Sequence, residues 1–171
     1  MNQANLSRFV QLFTLNDAEA AQRVSERLAL VLRDPAAYQE QFAEELEERG
    51  IMAALPAQEL CDLALIDALL SEELLWESDW KDPAADLVDG INETLTQQKR
   101  TVRLNGPATG RGTVTGPEAL DIVQDLAEPV GLALVLFMLD SDSYAISVVS
   151  DAQAGEARQL AQELGFGVTV Y

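Results

Sequence analysis

At 171 residues, 48% hydrophobic and 23% charged, the chain has the size and composition of one globular domain with a sizeable core. Its 29 acidic side chains against 11 basic ones give a net charge of −18, which disfavours nucleic acid and anionic membrane, since phosphate binding rests on Lys and Arg. The lack of histidine excludes Ser-His-Asp and Cys-His catalysis and histidine-ligated metals, and one cysteine excludes an internal disulfide and thiolate zinc sites.

Leu6, Phe9, Val10 and Phe13 recur at helical spacing and predict an amphipathic helix from about Asn5 to Leu15. Asn16, with Glu19 three residues on, reads as a capping box for a second helix that buries Val24, Leu28 and Val31. Asp34-Pro35 ends it and opens a third helix, with Tyr38, Phe42 and Leu46 inward and Gly50 as its stop. Pro56 opens a fourth, running to about Leu70, whose apolar residues nearly surround the axis, as in a helix covered on several sides. Cys61 lies in this run and reads as a buried, inert thiol. Ser71–Trp76 either extends the fourth helix or begins a further turn, and Glu77–Pro83 reads as a loop. Asp82-Pro83 then starts a fifth helix that buries Ala84, Leu87, Val88, Ile91 and Leu95. At 3.6 residues per turn, Asp82, Asp86, Asp89 and Glu93 fall in one line on its other side.

Lys99–Leu104 reads as a helix end or a short edge strand, and Asn105–Gly116, with four glycines and a proline, as a loop. Pro117 restarts a helix that ends near Ala127. The apolar run Val130–Leu139, a turn at Asp140–Ser143 and the β-prone Tyr144–Val149 predict an antiparallel hairpin. A helix over Ala154–Leu164, stopped by Gly165, and a strand over Val168–Tyr171 close the chain. The expected class is α+β, with about five amino-terminal helices packed on a small carboxy-terminal sheet carrying one or two helices. Residues 1–171 are expected to form a single domain, comprising a helical region (residues 1–104), a loop (residues 105–116) and an α/β region (residues 117–171). The longest apolar run, ten residues, is too short to span a bilayer as a helix, and the amino terminus lacks a signal-peptide layout, so a cytoplasmic location is expected.

The chemistry left open is that of carboxylates. Acids at i and i+4 approach closely enough to share a hard cation, but a line on one helix does not wrap it in the six or more oxygens it needs. Asp140-Ser141-Asp142 lacks the rest of a calcium loop, and Gly106–Thr113 fails as a phosphate loop because Arg111 stands where the second glycine belongs. No cofactor, metal or catalytic set is therefore expected. Between Glu59 and Glu93, however, eleven acids face one base, Lys81. Trp76 and Trp80 stand beside the acidic line, and tryptophan is a frequent interface anchor; packing between the fourth and fifth helices is the competing role for at least one of them. The leading expectation is a non-catalytic module that binds a basic protein, with an immunity or inhibitor protein as one form. Its candidate residues are Trp76, Asp79, Trp80, Asp82, Asp86, Asp89 and Glu93. The alternatives are a carboxylate-dependent divalent-cation protein or enzyme, and a subunit that self-associates through the strand edge ending at Tyr171.

Asp79-Trp80-Lys81-Asp82, together with Gly131–Leu134 and Asp140-Ser141-Asp142-Ser143-Tyr144, resembles a family of small uncharacterised bacterial proteins. That family combines an Asp-Trp-Lys motif with a carboxy-terminal Asp-Ser-Asp-x-Tyr hairpin, and the resemblance covers roughly residues 60–171. It implies no activity and no catalytic residue.

Overall fold

A computed structural model describes residues 2–171. Five helices come first: α1 (Gln3–Thr14), α2 (Ala18–Arg33), α3 (Pro35–Gln41), α4 (Ala43–Glu48) and α5 (Ala57–Ser71). They are followed by β1 (Trp76–Asp79), α6 (Ala84–Gln97), α7 (Pro117–Ala127), β2 (Leu132–Phe137), β3 (Ser143–Ser150), α8 (Ala154–Leu164) and β4 (Val168–Val170). The fold is α+β, and its one sheet is antiparallel throughout, in the order β1-β3-β2-β4.

Period-two alternation divides the sheet between two cores. Ala133, Val135, Phe137, Ala145 and Val149 face a core built by α1, α2, α5 and α8. Leu132, Leu134, Ile146 and Val148 face a second core built by α6 and α7. Helices on both faces explain why β2 reads as an unbroken apolar run instead of alternating with polar residues. Each fully buried Leu, Val or Ile of the two central strands contributes about 1.5–3 kcal/mol over exposure. The first core is threaded by aromatic contacts, Phe9 against Phe13 at 5.4 Å and Phe166 at 5.6 Å, and Phe13 against Phe137 at 5.7 Å.

Two acids of the 59–93 run lie inside. Asp62, 7% exposed, accepts the Gly167 N–H at 2.7 Å and thereby ties α5 to the start of β4. Asp67, 8% exposed, accepts from Arg49 Nε at 2.8 Å and Nη2 at 2.6 Å. Arg49 also forks onto Glu77, both contacts at 3.0 Å. Burial disfavours the Arg49 charge, but hydrogen bonds to Glu77 and Asp67 outweigh it and hold its pKa above the ordinary value. Cys61 is partly buried, and burial, followed by the charge of Asp62, pushes its thiol up. That suits an unreactive side chain.

Several expectations are corrected. Trp76–Asp79 is a strand, neither helix extension nor loop, and it falls within the stretch 1–104 expected to be helical. The cap of α2 is Asp17, whose side chain accepts from Ala20 N at 3.0 Å, and not Asn16. The third predicted helix breaks at Phe42 into α3 and α4. Lys99–Leu104 is neither helix nor strand. There Asn92 stands in for a pairing strand: its Oδ1 accepts from Leu104 N at 2.8 Å, and its Nδ2 donates to Leu104 O at 3.1 Å. The loop 105–116 has a structural role, because Val114 O and Gly112 O accept from Ala84 N (2.8 Å) and Ala85 N (3.1 Å) and so cap α6.

Candidate functional site

The site is built where α5 hands the chain to the sheet. α5 ends in a Schellman motif, with Glu73 N donating to Leu70 O and Leu74 N to Leu69 O, both at 2.9 Å. Glu73 takes the left-handed position at φ +59°, where glycine is the usual occupant. Leu74 O then accepts from Ser147 Oγ at 2.7 Å, and the chain enters β1 as the edge partner of β3.

Trp76 faces α6. Its ring lies so close to Gly90 that a Cβ there would stand 2.3 Å from Trp76 Cγ. The indole is half-buried in the second core, and its Nε1 has no acceptor among the described residues. Trp80 differs: it is 42% exposed, with Lys81 Nζ 5.5 Å from its ring centroid. Of the two tryptophans, Trp76 packs between strand and helix, and Trp80 is presented to solvent.

The acidic line is shorter than its spacing implied. Pro83 is extended, at ψ 158°, and α6 begins at Ala84, so Asp82 lies outside the helix. Its Oδ2 accepts from Ser78 Oγ at 2.5 Å and Asp79 N at 2.9 Å, and its own N–H donates to Asp79 O at 2.9 Å. Asp79 Oδ1 in turn accepts from Lys81 N at 2.8 Å. Asp79 and Asp82 are thus occupied in the turn that ends β1. Asp86, Asp89 and Glu93 remain exposed on α6, and no ion pair among the described residues holds them. No group of three or more His, Cys, Asp or Glu among the described residues is placed to hold a metal ion.

Between α5, β1 and α6 runs a groove of about 500 Å³. Leu70 and Glu73 form one wall, Leu75, Trp76 and Glu77 the floor, and Glu93, Thr94, Thr96 and Gln97 the other wall. Three carboxylates and no cation line it. Periodicity along α6 located Glu93. Glu73 and Glu77 escaped it, because they join the site only through the pairing of β1 with β3.

The two segments that carried the family resemblance meet in the sheet. Trp80 N donates to Asp142 O at 2.8 Å, and Asp79 and Ser78 pair with Ser143 and Tyr144. Fold and site together define a helix-covered antiparallel α+β protein with an acidic groove at one sheet edge. The chain belongs to the family described as a domain of unknown function (DUF6630), whose model matches residues 5–171 and therefore takes in α1 to α5 as well. No curated protein and no solved structure matches the chain.

Proposed function

We propose that the chain is a non-catalytic binding module that engages a basic protein through the exposed face of α6 and the adjoining groove. The observation that carries this reading is the set of unpaired carboxylates on one surface, Asp86, Asp89 and Glu93, with Glu73 across the groove. None of the ion pairs of the described residues involves these four acids; the pair that reaches the groove is Arg49 on Glu77, on its floor. Such a surface steers a cationic partner and is penalised against an anionic one, so nucleic acid and anionic membrane are disfavoured. An immunity or inhibitor protein against a basic bacterial toxin, acting in the cytoplasm, is a concrete form of this reading. Among the described residues no helix is long and apolar enough to cross a membrane.

The test compares the parent chain with the triple variant Asp86→Asn, Asp89→Asn, Glu93→Gln, each used to capture partners from its native lysate at low and high salt. The parent should retain a basic protein, with the association rate falling about tenfold or more in the variant and in high salt. Capture indifferent to both changes would remove the basis of the reading.

A further inference from the structure

We infer that the free edge of β1 takes up an extended, basic segment of the partner as an added strand. This rests on the acidic-surface reading above and names how that surface is used. Strand parity comes first. Trp80 N bonds to Asp142 O, so residues 76, 78 and 80 turn their backbone groups toward β3, and Leu75, Glu77 and Asp79 turn theirs away. Asp82 closes the outward groups of Asp79, taking its N–H on Oδ2 and donating to its carbonyl. Leu75 is only 4% exposed, so Glu77, on the floor of the groove, is left as the open part of the edge.

Charge selects the occupant. Glu73 and Glu93 stand on opposite walls with no cation between them. A second copy of this chain, pairing edge to edge, would set the same carboxylates against each other, whereas a lysine- or arginine-bearing strand meets them with opposite charge. Main-chain bonds to the N–H and carbonyl of Glu77 would supply the pairing. Alternate side chains of the incomer would then point to the Trp76 face and to the Glu73 face. Glu73 keeps its carboxylate on the wall although its left-handed backbone favours glycine.

The experiment uses the full chain and a labelled short peptide of alternating Lys and Val, compared with its fully N-methylated form. The methylated form keeps charge and side chains but donates no backbone hydrogen bond. Fluorescence anisotropy should show the parent peptide binding about tenfold or more tightly than the methylated one. Amide exchange at Glu77 should slow in the complex. Glu73→Gly should raise the melting temperature yet weaken peptide binding, separating the groove wall's role in binding from its role in the fold. Glu77→Pro deletes an outward N–H without removing a backbone bond to β3, and it should weaken binding beyond Glu77→Ala, which loses the same Arg49 ion pair but keeps the N–H. Equal, salt-sensitive binding of both peptides, with Glu77 exchange unchanged, overturns the strand-addition inference and leaves the acidic surface standing. No binding of either peptide at low salt overturns both. A dimer in light scattering with the Glu77 amide already protected would assign the edge to a second copy and also overturn the inference.

Discussion

Gly90 sets two residue-scale effects against each other. Within a helix, glycine is about 1 kcal/mol less favourable than alanine, yet an added Cβ would overlap the Trp76 ring, 2.3 Å from Cγ. The ring is held between α6 and the sheet, so the overlap outweighs the helical gain. Gly90→Ala is expected to lower stability by about 1–3 kcal/mol in urea unfolding. In a Trp80→Phe background the loss should be accompanied by a red shift of the remaining tryptophan fluorescence. Adding Trp76→Leu should recover some of it, because the two substitutions share one contact. Asp67 offers a second residue-scale test. Burial, only partly offset by Arg49, holds its carboxyl above the usual range. The folded chain therefore binds that proton more tightly than the unfolded chain does. Its contribution is complete below the ordinary carboxylate value, about 3.9, and is lost as pH rises through the raised one. The stability of the parent relative to Asp67→Asn should accordingly decline across that window; a difference that grows with pH would contradict the assigned direction.

At the scale of elements, helix ends decide how the chain enters the sheet. α6 closes as α5 does: Arg100 N donates to Leu95 O and Lys99 N to Thr96 O, both at 3.0 Å, with Lys99 left-handed at φ +59°. The left-handed penalty on a side-chain residue exceeds the entropy glycine adds to the unfolded chain, so Lys99→Gly should stabilise by about 0.5–1 kcal/mol in thermal unfolding. Lys99 lies outside the groove, so peptide binding should be unchanged, in contrast to Glu73→Gly. Elements like these also show what the sequence makes legible. The β2–β3 hairpin was readable because an apolar run closed by a turn is a local signal. β1 was not: Trp76-Glu77-Ser78-Asp79 is short and rich in acids that strands disfavour, and only long-range pairing with β3 makes it a strand. The acidic line failed at Asp82 for a related reason. Its spacing was counted from a helix start that the extended Pro83 moves two residues on, leaving Asp82 to close the turn. Exposure of Asp86, Asp89 and Glu93 followed from periodicity alone, whereas the interior places of Asp62 and Asp67 needed partners as distant as Gly167 and Arg49.

Over the whole molecule, charge and topology divide the surface. The sheet has two edges, and at the β4 edge Arg158 donates to the carbonyls of Val170, at 3.1 and 3.0 Å, and Tyr171, at 3.2 Å. Arginine thus occupies carbonyls at one edge, and carboxylates flank the other. A net charge of −18 also makes the folded state repel itself. Surface ion pairs work against this, but each is worth only about 0–1 kcal/mol and salt weakens them as well. With six ion pairs among the described residues against so large an excess of acids, repulsion should dominate. Screening at physiological ionic strength acts over about 8 Å and so weakens repulsion among the acids spread over the surface. Sodium chloride is therefore expected to raise the melting temperature in calorimetry. The rise should be smaller in the Asp86→Asn, Asp89→Asn, Glu93→Gln variant, which has less repulsion to screen. Partner binding should run the other way and weaken with salt, because there the same carboxylates attract. If stability and binding both fell as salt rose, ion pairing would outweigh repulsion within the fold, and these acids would not be the unpaired set on which the binding surface depends.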